Sequence, residues 1–320
     1  MKINGFSIQV AKSYLSGVIV YGLGIILFRN AGYYKGTLSS NTQDVLLLMF
    51  VLYLILAPFY YYFNSGKASQ GRAYLFLVFV RKLAAKAVRK KAYEISHNEK
   101  TAFLFMLVKL FFLPTMVNFF FGNFKFLIGM KDIEWYPLIL LLIFTIDTLI
   151  FAIGYAFEAR IAGNVVKSVE PTLIGWAVAL ISYPPFNSFA GKFVPWGAND
   201  YVYFWNSSLT NIIRVAIVLL LLIYLWASIA LGFKASNLTN RGIIAKFPYS
   251  MIRHPAYAAK NLAWWITLLP VMNWKFALGM LFWTIIYYFR AITEENHLKK
   301  DPDYVEYCRK VKYRFIPYVV

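Results

Sequence analysis

The feature that most restricts this chain is a series of apolar runs as long as a bilayer is thick. Residues 45–63 (VLLLMFVLYLILAPFYYYF) hold 19 positions without one charged side chain. At about 1.5 Å per residue a helix of that length reaches roughly 29 Å, close to the thickness of a hydrocarbon core. Comparable runs lie at 14–28, 102–121, 136–157, 172–186 and 210–233. The run at 14–28 is followed by Arg29 and Tyr33, not by the small residues of a cleavage site, and reads as a retained helix. A soluble domain with a greasy core would break such runs with charge, but only 15% of this chain is charged against about 25% in soluble domains. The expected fold is therefore an all-α integral membrane protein with about six transmembrane helices.

Two shorter apolar stretches follow, Asn261 to Trp274 and Phe276 to Phe289, on either side of Lys275. Each spans roughly 21 Å as a helix, short for a crossing, so they read as a tilted or partly re-entrant hairpin turning at Pro270 to Lys275. Lys and Arg test the orientation. With residues 1–13, 64–100, 158–171, 234–260 and 290–320 on one side, 25 of the 33 basic residues fall there, and only six fall on the other. The positive-inside bias then predicts that both termini and the tail after the hairpin are cytoplasmic. The same asymmetry accounts for a formal charge of +19 without any nucleic-acid partner. The organisation expected is an N-terminal membrane region, residues 1–170, and a C-terminal membrane core, residues 171–320. The basic loop 64–100 contains RKLAAKAVRKKAYE, which reads as a helix lying on anionic inner-leaflet lipid.

A single cysteine, Cys308, excludes an internal disulfide, and His97, His254 and His297 are not spaced as a metal site. No phosphate loop, no GxGxxG and no Ser/His/Asp arrangement is evident. Asp147, Lys109 and Arg214 lie inside spans, where Asp147 is expected to pair with Lys109 or Arg214. Pro184-Pro185 must end a helix near the outer face, and the aromatic residues beyond it, Trp196 to Trp205, read as an interfacial belt.

Ionisable and conformationally special residues concentrate after residue 234, in Ser236–Asn261 and Arg290–Pro317, which flank the hairpin and so meet at one membrane face. Arg290 and Glu294 are spaced i, i+4 on one helix face, with Glu295 one step round. Pro255 biases His254 away from helical geometry and sets it at the first turn of the next helix. The succession FPYSMIRHPAY, hairpin, RAITEENHL and DPDYVEYCRKV resembles the isoprenylcysteine carboxyl methyltransferases and the related phospholipid methyltransferases over about residues 234–317.

The resemblance implies S-adenosylmethionine as cofactor and a lipidic or isoprenoid-linked acceptor, methylated at a carboxylate or an amine. It implies that Ile243, Ile244, Tyr249, His254, Pro255, Ala256 and Tyr257 line the cofactor pocket and that Glu294 holds the cofactor's amino-acid end. Arg290 would face the acceptor, and Glu295 or His254 would take a proton if the acceptor is an amine. The expected location is the cytoplasmic membrane of a bacterium, with the site facing the cytoplasm. The chain departs from the family pattern at Ala259, where glycine is common, at Asp301-Pro302, and at Lys234, which stands near the place of a glutamine used by the carboxyl methyltransferases. The chemistry of the residues agrees, since a sulfonium and an ammonium call for carboxylates and aromatic faces. Two other readings remain at this point: an NADPH-dependent reductase of the sterol-reductase type, whose members share a YR-x-IP-like tail as in Tyr313–Pro317, and a non-enzymatic lipid-binding or transport protein.

Overall fold

The structure, a computed structural model, describes residues 3–63, 71–89, 93–131 and 134–319. Among these, six helices are long and apolar enough to cross a membrane: Ile8–Asn30, Ser40–Phe63, His97–Gly129, Trp135–Ala156, Ser207–Lys234 and Trp274–Leu298. The all-α class is as expected, and the β-structure is one two-residue antiparallel pair. The chain divides into two compact units, Met1–Phe121 and Gly122–Val320, and the second bears the C-terminal motifs.

In the first unit α1 (Ile3–Asn30) leads through the short α2 (Gly32–Thr37) to α3 (Ser40–Phe63), and α4 (Arg72–Arg89) packs beside α1. α5 (His97–Gly129) is tied in by polar contacts at both ends of its first six turns: Glu99 accepts from Lys82 Nζ at 2.8 Å, and Asn118 accepts from Thr42. Lys109 lies over the rings of Tyr21 and Phe105. Within the basic segment, α4 exposes Arg81, Leu83, Lys86 and Val88, whereas Lys90 and Lys91 lie outside the described residues.

In the second unit α6 (Trp135–Ala156) packs along α9 (Ser207–Leu231), and α9 along α10 (Pro255–Thr267). Tyr136, Leu140, Ile143, Ile217, Leu221 and Ala263 form the common core. Hydrophobic transfer contributes little between helices in lipid, so close packing and polar contacts must hold them together. Asp147, deep in α6, accepts from the hydroxyls of Tyr224 and Ser228 on α9, and Arg214 lies over the Tyr136 ring. In place of Arg214, Asp147 takes hydroxyl donors from α9, which join the two helices, and the charge of Lys260 on α10 also acts on it.

The 172–186 run is not a single span. α7 (Leu173–Leu180), capped by Thr172, is only eight residues long, and α8 (Phe186–Ala190) follows after Pro184-Pro185. The segment nevertheless traverses the unit, because its far end at Pro195–Gly197 lies against Gly279, Leu268 and Phe276. The hairpin is also unequal. Its first arm is α10, which starts at Pro255, six residues before Asn261, and ends at Thr267. Its second arm is α11 (Trp274–Leu298), a 25-residue helix that continues past Arg290. The turn, Leu268–Asn273, overlaps the expected segment but starts two residues earlier, and it ends on Asn273, whose side chain caps Lys275 and Phe276 N–H groups. Arg290 did not end the span as a surface charge would, because aromatic rings and Asn237 enclose it. The chain closes with α12 (Pro302–Lys310), and β1 (Ser168–Val169) pairs with β2 (Thr239–Asn240).

Candidate active site

Three helical positions on α11, Arg290, Glu294 and His297, follow i, i+4 and i+7 spacing and so share one face. That face, the α10 residue Tyr257, Glu170 after β1 and the 236–239 segment line a cavity of about 430 Å³ including its open mouth. Tyr257 Oη donates to Glu294 Oε2 at 3.0 Å. Arg290 is 7% exposed; its Nη2 donates to Asn237 Oδ1 at 3.0 Å, and the guanidinium lies 5.1–5.9 Å from the ring centres of Tyr287, Tyr257 and Tyr183. An arginine held this way keeps its charge away from water without forming an ion pair, and remains able to orient an anionic group.

Glu295, one step round the helix, belongs to a different arrangement. It is 1% exposed, and its Oε1 accepts from Arg253 Nε at 2.9 Å, His254 Nε2 at 3.2 Å and Arg314 Nε at 2.9 Å, while Oε2 accepts from Arg314 Nη2 at 2.9 Å. The backbone joins the same contact: Arg253 N–H donates to Tyr313 O and His254 N–H to Arg314 O. This buried carboxylate thus clamps the RHP turn and the C-terminal tail to α11. Its bonds to Arg253, His254 and Arg314 explain why the RHP and EE motifs come together. The hydrogen bonds that Arg314 donates to Glu295, together with the carboxylate charge, hold its guanidinium above its ordinary pKa.

Of the ten residues expected in the site, Tyr257, Arg290 and Glu294 line the cavity. His254 and Glu295 sit in the clamp, with the His254 ring stacked on Tyr257 at 5.4 Å. Tyr249 and Ile243 pack on Tyr304, Tyr307 and Val311, and the Tyr249 carbonyl accepts from Tyr307 Oη. Pro255 starts α10, buried, whereas Ala256 and Ile244 are half-buried; none of the three lines the cavity. Burial pushes the Tyr249 phenol upward, so it stays protonated.

The cavity also contains residues that spacing did not disclose. Glu170 is 4% exposed, and its Oε1 accepts from Thr172 N–H and Oγ1. His297, 5% exposed, has Nε2 at 2.8 Å from Ser168 Oγ and Nδ1 at 4.0 Å from Glu170 Oε2. His297 was legible as the residue three after Glu294 on the same face, but Glu170 lies more than a hundred positions away. Lys167 fastens this wall to the start of α12 through Asp301 at 2.8 Å and Asp303 at 3.2 Å, and Asn240 Nδ2 adds a bond to Asp301. Burial opposes ionisation of Asp301, but the hydrogen bonds from Lys167 and Asn240 outweigh it and hold the carboxyl below its ordinary range. The substitution of Asp301-Pro302 at this point of the family pattern therefore supplies a cap for α12 and an anchor for the cavity wall.

Comparison with curated proteins and with solved structures gives no match. A family model does match, over residues 215–301, which run from within α9 through α10 and α11 and include the RHP turn, Arg290, Glu294 and Glu295. This stretch of the chain carries the signature of the phospholipid methyltransferases, the membrane methyltransferase family to which the isoprenylcysteine-type enzymes are allied.

Proposed function

We propose that the protein transfers a methyl group from S-adenosylmethionine to a lipidic acceptor at the inner face of the membrane. The observation that carries this reading is the convergence of Glu294, Tyr257 and Arg290 on one cavity at the end of a membrane helix, inside the matched region. The donor set suits the cofactor: Glu294 offers a carboxylate to its ammonium, and the Tyr257 face offers electron density to a cationic sulfur. The cofactor supplies an activated methyl; the chain supplies position and a site that excludes water, which is most of what an in-line displacement requires. Arg290 lies one turn, about 6 Å, further into α11 than Glu294 and is assigned to the head of the acceptor. Glu295 is assigned a positioning role through the RHP turn. The excess of Lys and Arg on loops at this end supports a cytoplasmic site, and the exposed basic and apolar residues of α4 support contact with anionic lipid.

Calorimetry with adenosylhomocysteine tests the cofactor assignment, because wild type is expected to bind and Glu294→Ala to lose most of that affinity. Labelled methyl groups are expected in the lipid fraction of membranes incubated with the enzyme. Undiminished binding in Glu294→Ala, or label confined to water-soluble products, would overturn the reading. The reductase alternative has no comparable support, since the matched family is one of methyltransferases.

A further inference from the structure

We propose that Glu170 and His297 form a proton-accepting pair in the cavity wall, so that the acceptor methylated there bears an N–H rather than a carboxylate. The inference rests on the methyltransferase reading and deepens it.

Both residues line the cavity, both are almost fully buried, and they come from different parts of the chain. Glu170 Oε1 is occupied by the Thr172 amide and hydroxyl, but Oε2 accepts no hydrogen bond from the described residues. It faces His297 Nδ1 across 4.0 Å, too far for a hydrogen bond between them. His297 Nε2 is fixed at 2.8 Å from Ser168 Oγ. With Nε2–H donated to Ser168, Nδ1 presents a lone pair beside a carboxylate, and a donor placed between the two would satisfy both. Gly175 makes this possible, because a Cβ there would stand 2.4 Å from Glu170 Cγ.

The charges facing the pair favour the same guest. Glu294 and Arg290 stand on the helix of His297, with Lys300 just past its end; Lys167 flanks β1, and Asp301 follows α11. α7 brings Gly175 and Ala179, and the 236–239 segment brings uncharged side chains. Of these, the cavity lining holds two carboxylates against one guanidinium. An anionic acceptor would meet like charge at Glu170, and a carboxylate needs no base in order to attack. An ammonium head is attracted, but its nitrogen has no lone pair until a proton leaves. In the proposed step that proton passes to His297 Nδ1, where Glu170 offsets the imidazolium charge. The freed lone pair forms the N–CH3 bond as the S–CH3 bond breaks with its electrons going to sulfur, and His297 afterwards returns the proton to water.

The test uses the full-length protein in phosphatidylcholine vesicles doped with either a primary-amine phospholipid or a fatty acid, with labelled S-adenosylmethionine and adenosylhomocysteine calorimetry on the same samples. Wild type is expected to bind adenosylhomocysteine and label the amine lipid alone, with kcat/KM falling on the acid side. His297→Gln and Glu170→Gln are expected to lose turnover about a hundredfold or more, as general-base removal does. His297→Gln should also lose the acid limb, and both should keep the adenosylhomocysteine Kd within about threefold. Gly175→Ala, which displaces Glu170 without removing any functional group, is expected to lower turnover in the same way and serves if either other variant fails to fold. Label in the fatty acid or in neither lipid, variants with unchanged turnover and pH profile, or a parallel loss of adenosylhomocysteine affinity would overturn the pair while leaving the methyltransferase reading standing. A wild type that binds no adenosylhomocysteine would overturn that reading itself.

Discussion

Replacing Glu295 with alanine should release the C-terminal tail and the RHP turn together. The carboxylate makes four contacts of 2.9–3.2 Å to Arg253, His254 and Arg314, and its removal leaves His254 and Arg253, whose side chains are 6% and 11% exposed, beside no anion. Breaking a buried ion pair from one side costs about 3–5 kcal/mol. The lower figure applies here, because Arg253 keeps its bonds to the Val311 and Lys312 carbonyls and the Arg314 side chain, 23% exposed, can recover water. The readout is hydrogen exchange at the Arg253 and His254 amides, which donate to Tyr313 and Arg314 carbonyls. With about 1.4 kcal/mol per tenfold, a loss near 3 kcal/mol should speed their exchange about a hundredfold if it is local to this contact. Glu295→Gln, which keeps the shape and an acceptor, should fall roughly midway on a logarithmic scale. Exchange within threefold of wild type in Glu295→Ala would refute the clamp, as would strict additivity with Arg314→Ala in a double-mutant cycle.

Arg290→Lys should lose turnover while holding adenosylhomocysteine affinity, because an ammonium cannot reproduce the guanidinium fork; equal loss of both would place Arg290 with the cofactor. The Lys167–Asp301 latch should be pH-dependent at both ends. Asp301 is depressed in the fold, so its contribution is present above its unfolded value of about 3.9 and fades as pH falls through the lower folded value; Asp301→Asn should flatten that acid decline in thermal melts. Lys167 is raised, chiefly by its bond to Asp301, so its contribution holds below about pH 10.4 and is lost only as pH climbs through the higher folded value. Gly279→Ala would place a Cβ 2.0 Å from the Pro195 carbonyl oxygen, and overpacking of this kind should cost about 1–3 kcal/mol, visible as a lower Tm in detergent; an unchanged Tm would show that the 191–205 segment yields freely.

The sequence by itself determined the solvent of this protein and the class of its fold, because lipid tolerates only backbones that satisfy themselves and the lengths of the apolar runs select helices. It also located the motif-bearing region, since Arg290 and Glu294 share a helix face by period alone and Pro255 must begin a helix. The tertiary structure decided which adjacent charge does what. Consecutive residues on a helix point about 100° apart, so Glu294 and Glu295, indistinguishable in sequence, face a cavity and a buried cation cluster respectively. Only packing could show that a span would break at Leu180, that α11 would carry a caged Arg290 onward instead of ending, and that Asp147 would take hydroxyl partners. Glu170 and Ser168 had no local signal, because their meeting with His297 depends on the pairing of β1 with β2 and on the packing of α7 along α11, contacts between segments far apart in the chain.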